Sequence, residues 1–369
     1  MSSLVKLDHK PRIAIVHDAL VNTGGAERVL TFMHETFPDA LIFTAAFLPS
    51  QTYSEFRSAE VHTLPGSRFV RSERQAKRLL LLWMLGFACL KLDDFDIVLS
   101  STTWGAKFIR PSQNTRHVCY CYAPFRLLWN PTSYNPSSLQ VGSAVLRLID
   151  WARLPLRRLD YQSMQRPARL ATTCRNMAKQ IGDFYNRSAQ IIYAPIRIRD
   201  YPFAEGGGNY YLTVSRLVSH KRVDLAVKAC QALGRRLIVV GDGPERSQLE
   251  SFASDTMHFV GRISDPELKR MYSKCRAVIF PSDEDYGLVP LESQACGRPV
   301  IAYGSGGALE TVIEGQTGVF FTQQTPESVI ESMLAFEAMQ FDPQVIRQSV
   351  HRFDVEHFKR ELREFVLNP

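Results

Sequence analysis

The chain has 369 residues, 45% of them hydrophobic and 22% charged, values that exclude a disordered tail, a stapled miniprotein and a membrane protein by composition. Its 44 Lys and Arg against 37 Asp and Glu leave a formal charge of +7, which favours acidic partners such as phosphates, anionic lipid or nucleic acid. The seven Cys are scattered and mostly inside apolar runs, the pattern of reduced core thiols in a cytosolic protein.

In chain order, residues 1–10 (MSSLVKLDHK) lack the apolar stretch of a leader, so the expected location is the cytoplasm. Residues 12–17 (RIAIVH) read as a buried strand, followed by a turn with Gly24 and Gly25 and by helical periodicity over 26–37. The apolar run 79–90 is shorter than the roughly 20 residues that cross a bilayer. With Arg71, Arg74, Lys77 and Arg78 before it, two readings stay open: a buried helix with a solvated basic lead-in, or a helix lying on an anionic membrane surface. Arg147, Arg153, Arg157, Arg158, Arg166 and Arg169 would add to the second. Residues 96–100 and 117–121 read as further strands.

The stretch 195–209, with Pro202 and Gly206 to Gly208, marks a domain boundary before a strand at 210–214. Strands at 237–240, 258–260, 277–280 and 300–302 then alternate with helices at 223–233, 245–252, 266–273 and 291–295. That alternation specifies a doubly wound parallel sheet, which binds ligands at the carboxyl ends of its strands. The tail 326–367 reads as amphipathic helix, long enough to return to the first domain. The expected fold class is therefore α/β: two Rossmann-like parallel-sheet domains, 1–200 and 201–349, facing across a cleft, with a C-terminal helix at about 350–369 packing back on the first.

The sharpest chemical signal is PSDEDYGLVPLE at 281–292, between a strand and a helix. It places Glu284 in a loop and Glu292 one turn into the helix, with Gly287 allowing a close backbone approach and the helix N-terminus offering free N–H groups to an anion. Arg216 and Lys221, after the strand at 210–214, lie at the same sheet edge. Two fixed cations beside a helix N-terminus suit a diphosphate leaving group.

These residues, with GDGP at 241–244, VGRI at 260–263, ACGRPV at 295–300 and GSGGALE at 304–310, resemble glycosyltransferase family 4, whose members are retaining, nucleotide-sugar-dependent enzymes of GT-B fold. HDALVNTGGAER at 17–28 is similar to the family's glycine loop, which faces donor phosphate and acceptor. YCYAPFRLLW at 120–129 resembles a segment of mannosyltransferase-like members that build O-antigen and exopolysaccharide chains. It departs from that pattern at Tyr122, where a histidine is usual, and at Asn130, where an aspartate is usual.

The resemblance implies that Glu292 binds the ribose hydroxyls, Glu284 contacts the donor sugar, and Arg216 and Lys221 hold the diphosphate with help from the backbone of Gly287, Leu288 and Val289. Arg262 and Ile263 would lie near the base, and Gly24 and Gly25 near donor phosphate. Tyr122 would take the histidine's place in the catalytic set, although a phenol with an unperturbed pKa near 10 is a poor base at neutral pH. The implied reaction moves a hexosyl residue, mannose from GDP-mannose, to a lipid-linked or oligosaccharide acceptor in surface-polysaccharide synthesis. No metal or other cofactor is implied beyond the nucleotide-sugar donor substrate. A UDP-sugar donor, a non-catalytic sugar-nucleotide-binding subunit and a sugar-nucleotide epimerase stay open as alternatives. Nucleic-acid binding has no recognisable module behind it, and the first glycine loop is not the dehydrogenase fingerprint.

Overall fold

A computed structural model describes residues 10–130, 147 and 151–368; the leader reading of residues 1–10 lies outside this range in all but its last residue. The chain divides into two compact units, Met1–Ala194 with Phe358–Pro369, and Pro195–His357. The stretch on the far side of the division belongs to the second unit: Ile196 bridges to Asp354, and the Ile198 N–H donates to the Asp354 carboxylate at 3.1 Å.

The first unit is built on a seven-stranded parallel sheet in the order β3-β2-β1-β4-β5-β6-β7. Its strands are β1 (Ile13–His17), β2 (Leu41–Thr44), β3 (Val61–Thr63), β4 (Ile97–Thr102), β5 (Arg116–Cys121), β6 (Arg169–Thr172) and β7 (Gln190–Ile191). The central strands are buried on both faces: β1 reads as a nearly continuous apolar run, while β4 buries Ser100, Ser101 and Thr102 after its apolar first half. Helix Val355–Leu367 completes this unit. Phe358, Leu362, Phe365 and Val366 are buried, the Phe358 ring meets Tyr120 edge-on, and Lys359 pairs with Glu35 at 2.7 Å.

Helix Leu80–Ala88 divides its apolar run between two faces. Trp83, Met84 and Phe87 are in the core, while Leu82 and Leu85 are exposed. Three of the six arginines of the second basic stretch make structural contacts. Arg157 donates to the Leu128 carbonyl at 2.6 Å and stacks on Trp129, Arg166 donates to Phe108, and Arg169 donates to the carbonyl of Phe365 at 3.2 Å. Deep in the same unit Lys107 and Asp160 form a fully buried ion pair at 2.7 Å. Asp160 also accepts from Trp129 Nε1 at 2.7 Å and from the Tyr185 hydroxyl at 2.6 Å, the partners a buried charge requires.

The second unit has a six-stranded parallel sheet in the order β10-β9-β8-β11-β12-β13. These are β8 (Tyr211–Val214), β9 (Leu237–Val240), β10 (Met257–Gly261), β11 (Ala277–Phe280), β12 (Val300–Tyr303) and β13 (Gly318–Phe321). Helix Val223–Leu233 buries Leu225, Val227 and Cys230 in the same core as Ile279 and Ile301. Helix Asp265–Lys274 starts at a capping box of Ser264 and Glu267 with Pro in its first turn.

The tail is three helices and not one. Pro326–Glu337 and Pro343–Ser349 stay in the second unit, each opened by a capped Pro, and only helix Val355–Leu367 joins the first, from Phe358 onward. In each sheet the strand order reverses beside the first strand of the unit, between β1 and β4 and between β8 and β11. Such a switch point opens a crevice at the carboxyl ends of the two strands.

Candidate functional site

The switch point of the second unit gathers the loops that follow β8 and β11. Lys221 Nζ meets Glu284 Oε1 at 2.6 Å, and the Ser282 hydroxyl donates to the same oxygen at 2.8 Å. Both charged side chains are about four-fifths covered. Arg216 stands exposed in the turn after β8, whose backbone is tied to the next loop by the Leu217 N–H on the Asp242 carbonyl at 3.0 Å.

Gly287 caps helix Leu288–Ala295 at φ +77°, a left-handed position where a Cβ would also strike the Phe280 ring at 2.8 Å. The first-turn N–H groups at Gly287, Leu288 and Val289 have no acceptors within the helix, as at any helix start. The Glu284 loop is pinned from the other side by the glycine loop after β12. The Gly307 N–H donates to the Glu284 carbonyl at 2.9 Å, and a side chain on Gly307 would collide with the backbone of Tyr286.

Glu292 is buried on the inner face of that helix. Its Oε1 accepts from the Tyr201 hydroxyl at 3.0 Å and its Oε2 from the Tyr272 hydroxyl at 2.8 Å. A carboxylate has about four lone-pair sites, so these bonds do not exhaust it. Arg262 is exposed and Ile263 half-buried just after β10. The structure thus pairs Lys221 with Glu284, three residues ahead of the helix cap at Gly287, and sets Glu292 one turn into the helix among tyrosines that sequence reasoning did not single out. Tyr201 falls in what reads as a boundary segment, and Tyr272 in a helix whose pattern reads mostly polar.

The switch point of the first unit holds a different chemistry. Asp18 accepts five hydrogen bonds, from Thr102 Oγ1 at 2.8 Å and the N–H groups of Thr103, Trp104, Gly105 and Ala106 at 2.6–2.9 Å. It is a clamp on the loop after β4. His17 Nδ1 lies 3.0 Å from Ser101 Oγ, which lies 2.9 Å from the Tyr122 hydroxyl, which donates to the Ala26 carbonyl at 3.0 Å. Each hydroxyl has one proton, so Tyr122 gives its own to Ala26, Ser101 gives its own to Tyr122, and His17 carries its proton on Nδ1. Burial lowers the His17 pKa to about 4 against the opposing pull of Asp18, and burial pushes the Tyr122 hydroxyl far above its ordinary 10.

Gly24 and Gly25 open helix Gly25–Thr36, Gly24 as its N-cap. Beside them is a residue the sequence reading passed over. Glu27 has its pKa raised to about 7, chiefly by burial, with the charges of Glu73 and Asp18 adding to it.

Residues 197–352 match the family model described as "Glycosyl transferases group 1". An uncharacterized glycosyltransferase of Methanocaldococcus jannaschii is 29% identical over 160 residues, covering 42% of this chain and 45% of that protein. A GDP-mannose-dependent alpha-(1-6)-phosphatidylinositol monomannoside mannosyltransferase of Mycolicibacterium smegmatis is 29% identical over 203 residues, covering 46% of this chain and 53% of the relative. The chain therefore spans about half the length of these curated relatives. Among solved structures, Anabaena HepE in complex with UDP and glucose superposes with a TM-score of 0.71 at 17% identity, over 98% of this chain and 100% of the other. The fold is GT-B, with two Rossmann-like parallel-sheet units.

Proposed function

We propose that the chain is a retaining glycosyltransferase that moves a hexosyl residue from a nucleotide sugar to a lipid-linked or oligosaccharide acceptor. The observation that carries this reading is the Lys221–Glu284 pair, 2.6 Å apart, beside the open helix N-terminus at Gly287 on the switch point of the second unit. The match of residues 197–352 to the glycosyltransferase group supports it.

In this reading the bond between the sugar C1 and the β-phosphate oxygen breaks, and its electron pair leaves with the diphosphate. Arg216, Lys221 and the N–H groups of Gly287, Leu288 and Val289 stabilise the charge that grows there. Glu284 faces the sugar, where its carboxylate opposes the positive charge of the oxocarbenium-like ring. The acceptor oxygen bonds to C1 on the face the diphosphate leaves, and its proton passes to the departing phosphate oxygen. Glu292 meets the ribose hydroxyls while keeping its tyrosines, and Arg262 and Ile263 border the base. Tyr122 is a positioning residue in this scheme and not a base, because its hydroxyl proton is committed to Ala26 and its pKa is driven up.

The donor we propose is GDP-mannose, supported by the named activity of the mycobacterial relative. A UDP-sugar is the second reading, favoured by the nucleotide in the HepE complex. Among the described residues no helix is long and apolar enough to cross a membrane. The exposed Leu82 and Leu85 beside Arg74 and Arg78 support a peripheral position on an anionic inner membrane face, in reach of lipid-linked acceptors.

Calorimetric titration with GDP and UDP tests the reading. Selective GDP binding is expected, selective UDP binding would keep the reaction and change the sugar, and binding of neither would overturn the transferase assignment. Nucleotide binding with no turnover of any nucleotide sugar would leave a non-catalytic binding subunit.

A further inference from the structure

Among the described residues, two that are not glycine hold a positive φ, Asn186 and Arg222. Asn186 ends helix Arg175–Tyr185, a place where asparagine takes the left-handed conformation readily. Arg222 has no such reason. At φ +50° and ψ +36° it adopts the same conformation without the short polar side chain that favours it. It directly follows Lys221, the cation that meets Glu284 at 2.6 Å.

The left-handed residue separates two turns that would otherwise run together. Ser219–Lys221 is a single tight turn, closed by the Arg222 N–H on the Ser219 carbonyl at 3.1 Å. Helix Val223–Leu233 then starts with the Leu225 N–H on the Arg222 carbonyl, also at 3.1 Å. With Arg222 in the right-handed region the chain would continue as one helix, and Lys221 would point where the helical period sends it. The kink is held in place. Val223 and Leu225 are buried just beyond it, and the Asp224 carboxylate accepts from Arg222 Nε at 3.1 Å and Nη2 at 3.4 Å.

We infer that Arg222 is a positioning residue, whose left-handed backbone aims Lys221 at the switch point and whose guanidinium, on Asp224, secures that backbone. The inference rests on the transferase reading, which gives Lys221 its diphosphate. Backbone strain persists only where the surrounding structure over-determines it, and it gathers at sites that need a group set in advance. A cation already in place has less freedom to lose when the ligand arrives.

The test is calorimetry of the full chain with GDP and UDP. Arg222→Val puts a β-branched side chain on left-handed backbone and should weaken the preferred nucleotide about tenfold. Arg222→Gly removes the same side chain but takes the conformation freely, and should stay within about threefold of the unaltered protein. Asp224→Asn leaves residue 222 untouched and should weaken the nucleotide about threefold by loosening the kink, a readout that survives if the valine variant does not fold. In a Lys221→Ala background all three changes should shift affinity less than about twofold, because no cation is left to aim; a merely structural role would keep the full loss there. Equal losses from valine and glycine, unchanged affinity in both Arg222→Val and Asp224→Asn, or a full loss without Lys221 would each overturn the positioning assignment while nucleotide still binds the unaltered chain. Binding of neither nucleotide to the unaltered chain would overturn the transferase reading beneath it.

Discussion

Replacing Glu284 by Gln removes one charge and almost no volume from the second unit. Ser282 keeps an acceptor in the amide carbonyl, but Lys221 loses its ion pair at 2.6 Å. A charge-assisted hydrogen bond with both partners about four-fifths covered contributes on the order of 1–2 kcal/mol. For a unit of this size that is a fall of about 2–8 °C in melting temperature. Transfer should suffer far more: a group aimed at charge that develops in the transition state is worth roughly 10²–10³ in rate. Nucleotide affinity should move the other way or hardly at all, because Lys221 is released toward the diphosphate. Thermal unfolding, calorimetry with the preferred nucleoside diphosphate and release of that diphosphate from its sugar donor read the three effects separately. Full transfer activity in Glu284→Gln, or nucleotide binding weakened more than tenfold, would refute the assignment.

Arg216→Ala should weaken nucleotide binding and transfer together, by about tenfold each, since an exposed cation on the diphosphate serves ground and transition state alike. Asp18→Ala should cost about 3–5 kcal/mol in urea unfolding, because it strands four backbone N–H groups and the Thr102 hydroxyl; near-wild-type stability would show that water replaces the carboxylate. Gly307→Ala should cost about 1–3 kcal/mol and lower transfer, since the Tyr286 backbone it strikes cannot swing aside as a side chain can.

The fifth concerns pH. His17 and His117, lowered by burial to about 4 and about 3, leave an unfolded chain that binds more protons below pH 6.5, so their contribution falls as pH drops toward 4. Glu27, raised to about 7, acts oppositely and loses stability as pH rises from 4.5 to 7. Two protons against one make the net stability rise with pH between 4.5 and 6.5. Glu27→Gln should steepen that rise in denaturation midpoints; a shallower slope would contradict the opposed signs.

The second unit was the more legible in sequence. Strands β9 and β11 and helix Val223–Leu233 fall at the expected residues, because each is a short β-branched or amphipathic run between strong breakers. Strands β2, β3, β6, β7 and β13 were not anticipated. They are two to four residues long, and β6 and β13 begin with Arg and Gly, so no period builds up. The tail read as one helical run although Asp342 and Pro343 form an N-cap and first-turn signal in plain view.

For the site, the meeting of Lys221 and Glu284 was legible because β8 and β11 are neighbours at the point where a doubly wound sheet reverses. The Tyr201–Glu292 and Asp18–Thr102 contacts span 91 and 84 residues and obey no spacing rule. They are set by tertiary packing alone.

The chain leaves the first unit at Ala194 and rejoins it at Phe358, and the second unit's two ends are stitched together by Ile196 with Asp354 and Val355. During synthesis the helix carrying Phe358, Leu362 and Phe365 into the core of the first sheet is made only after the whole second unit, Pro195–His357. At 5–20 residues per second the wait is roughly 10–30 s. For that interval the apolar bed of this helix waits uncovered, while the second unit, contiguous from Pro195 to His357, needs no later segment to fold. The first unit is therefore completed only after the second has been made, and its uncovered bed is the surface a chaperone would meet.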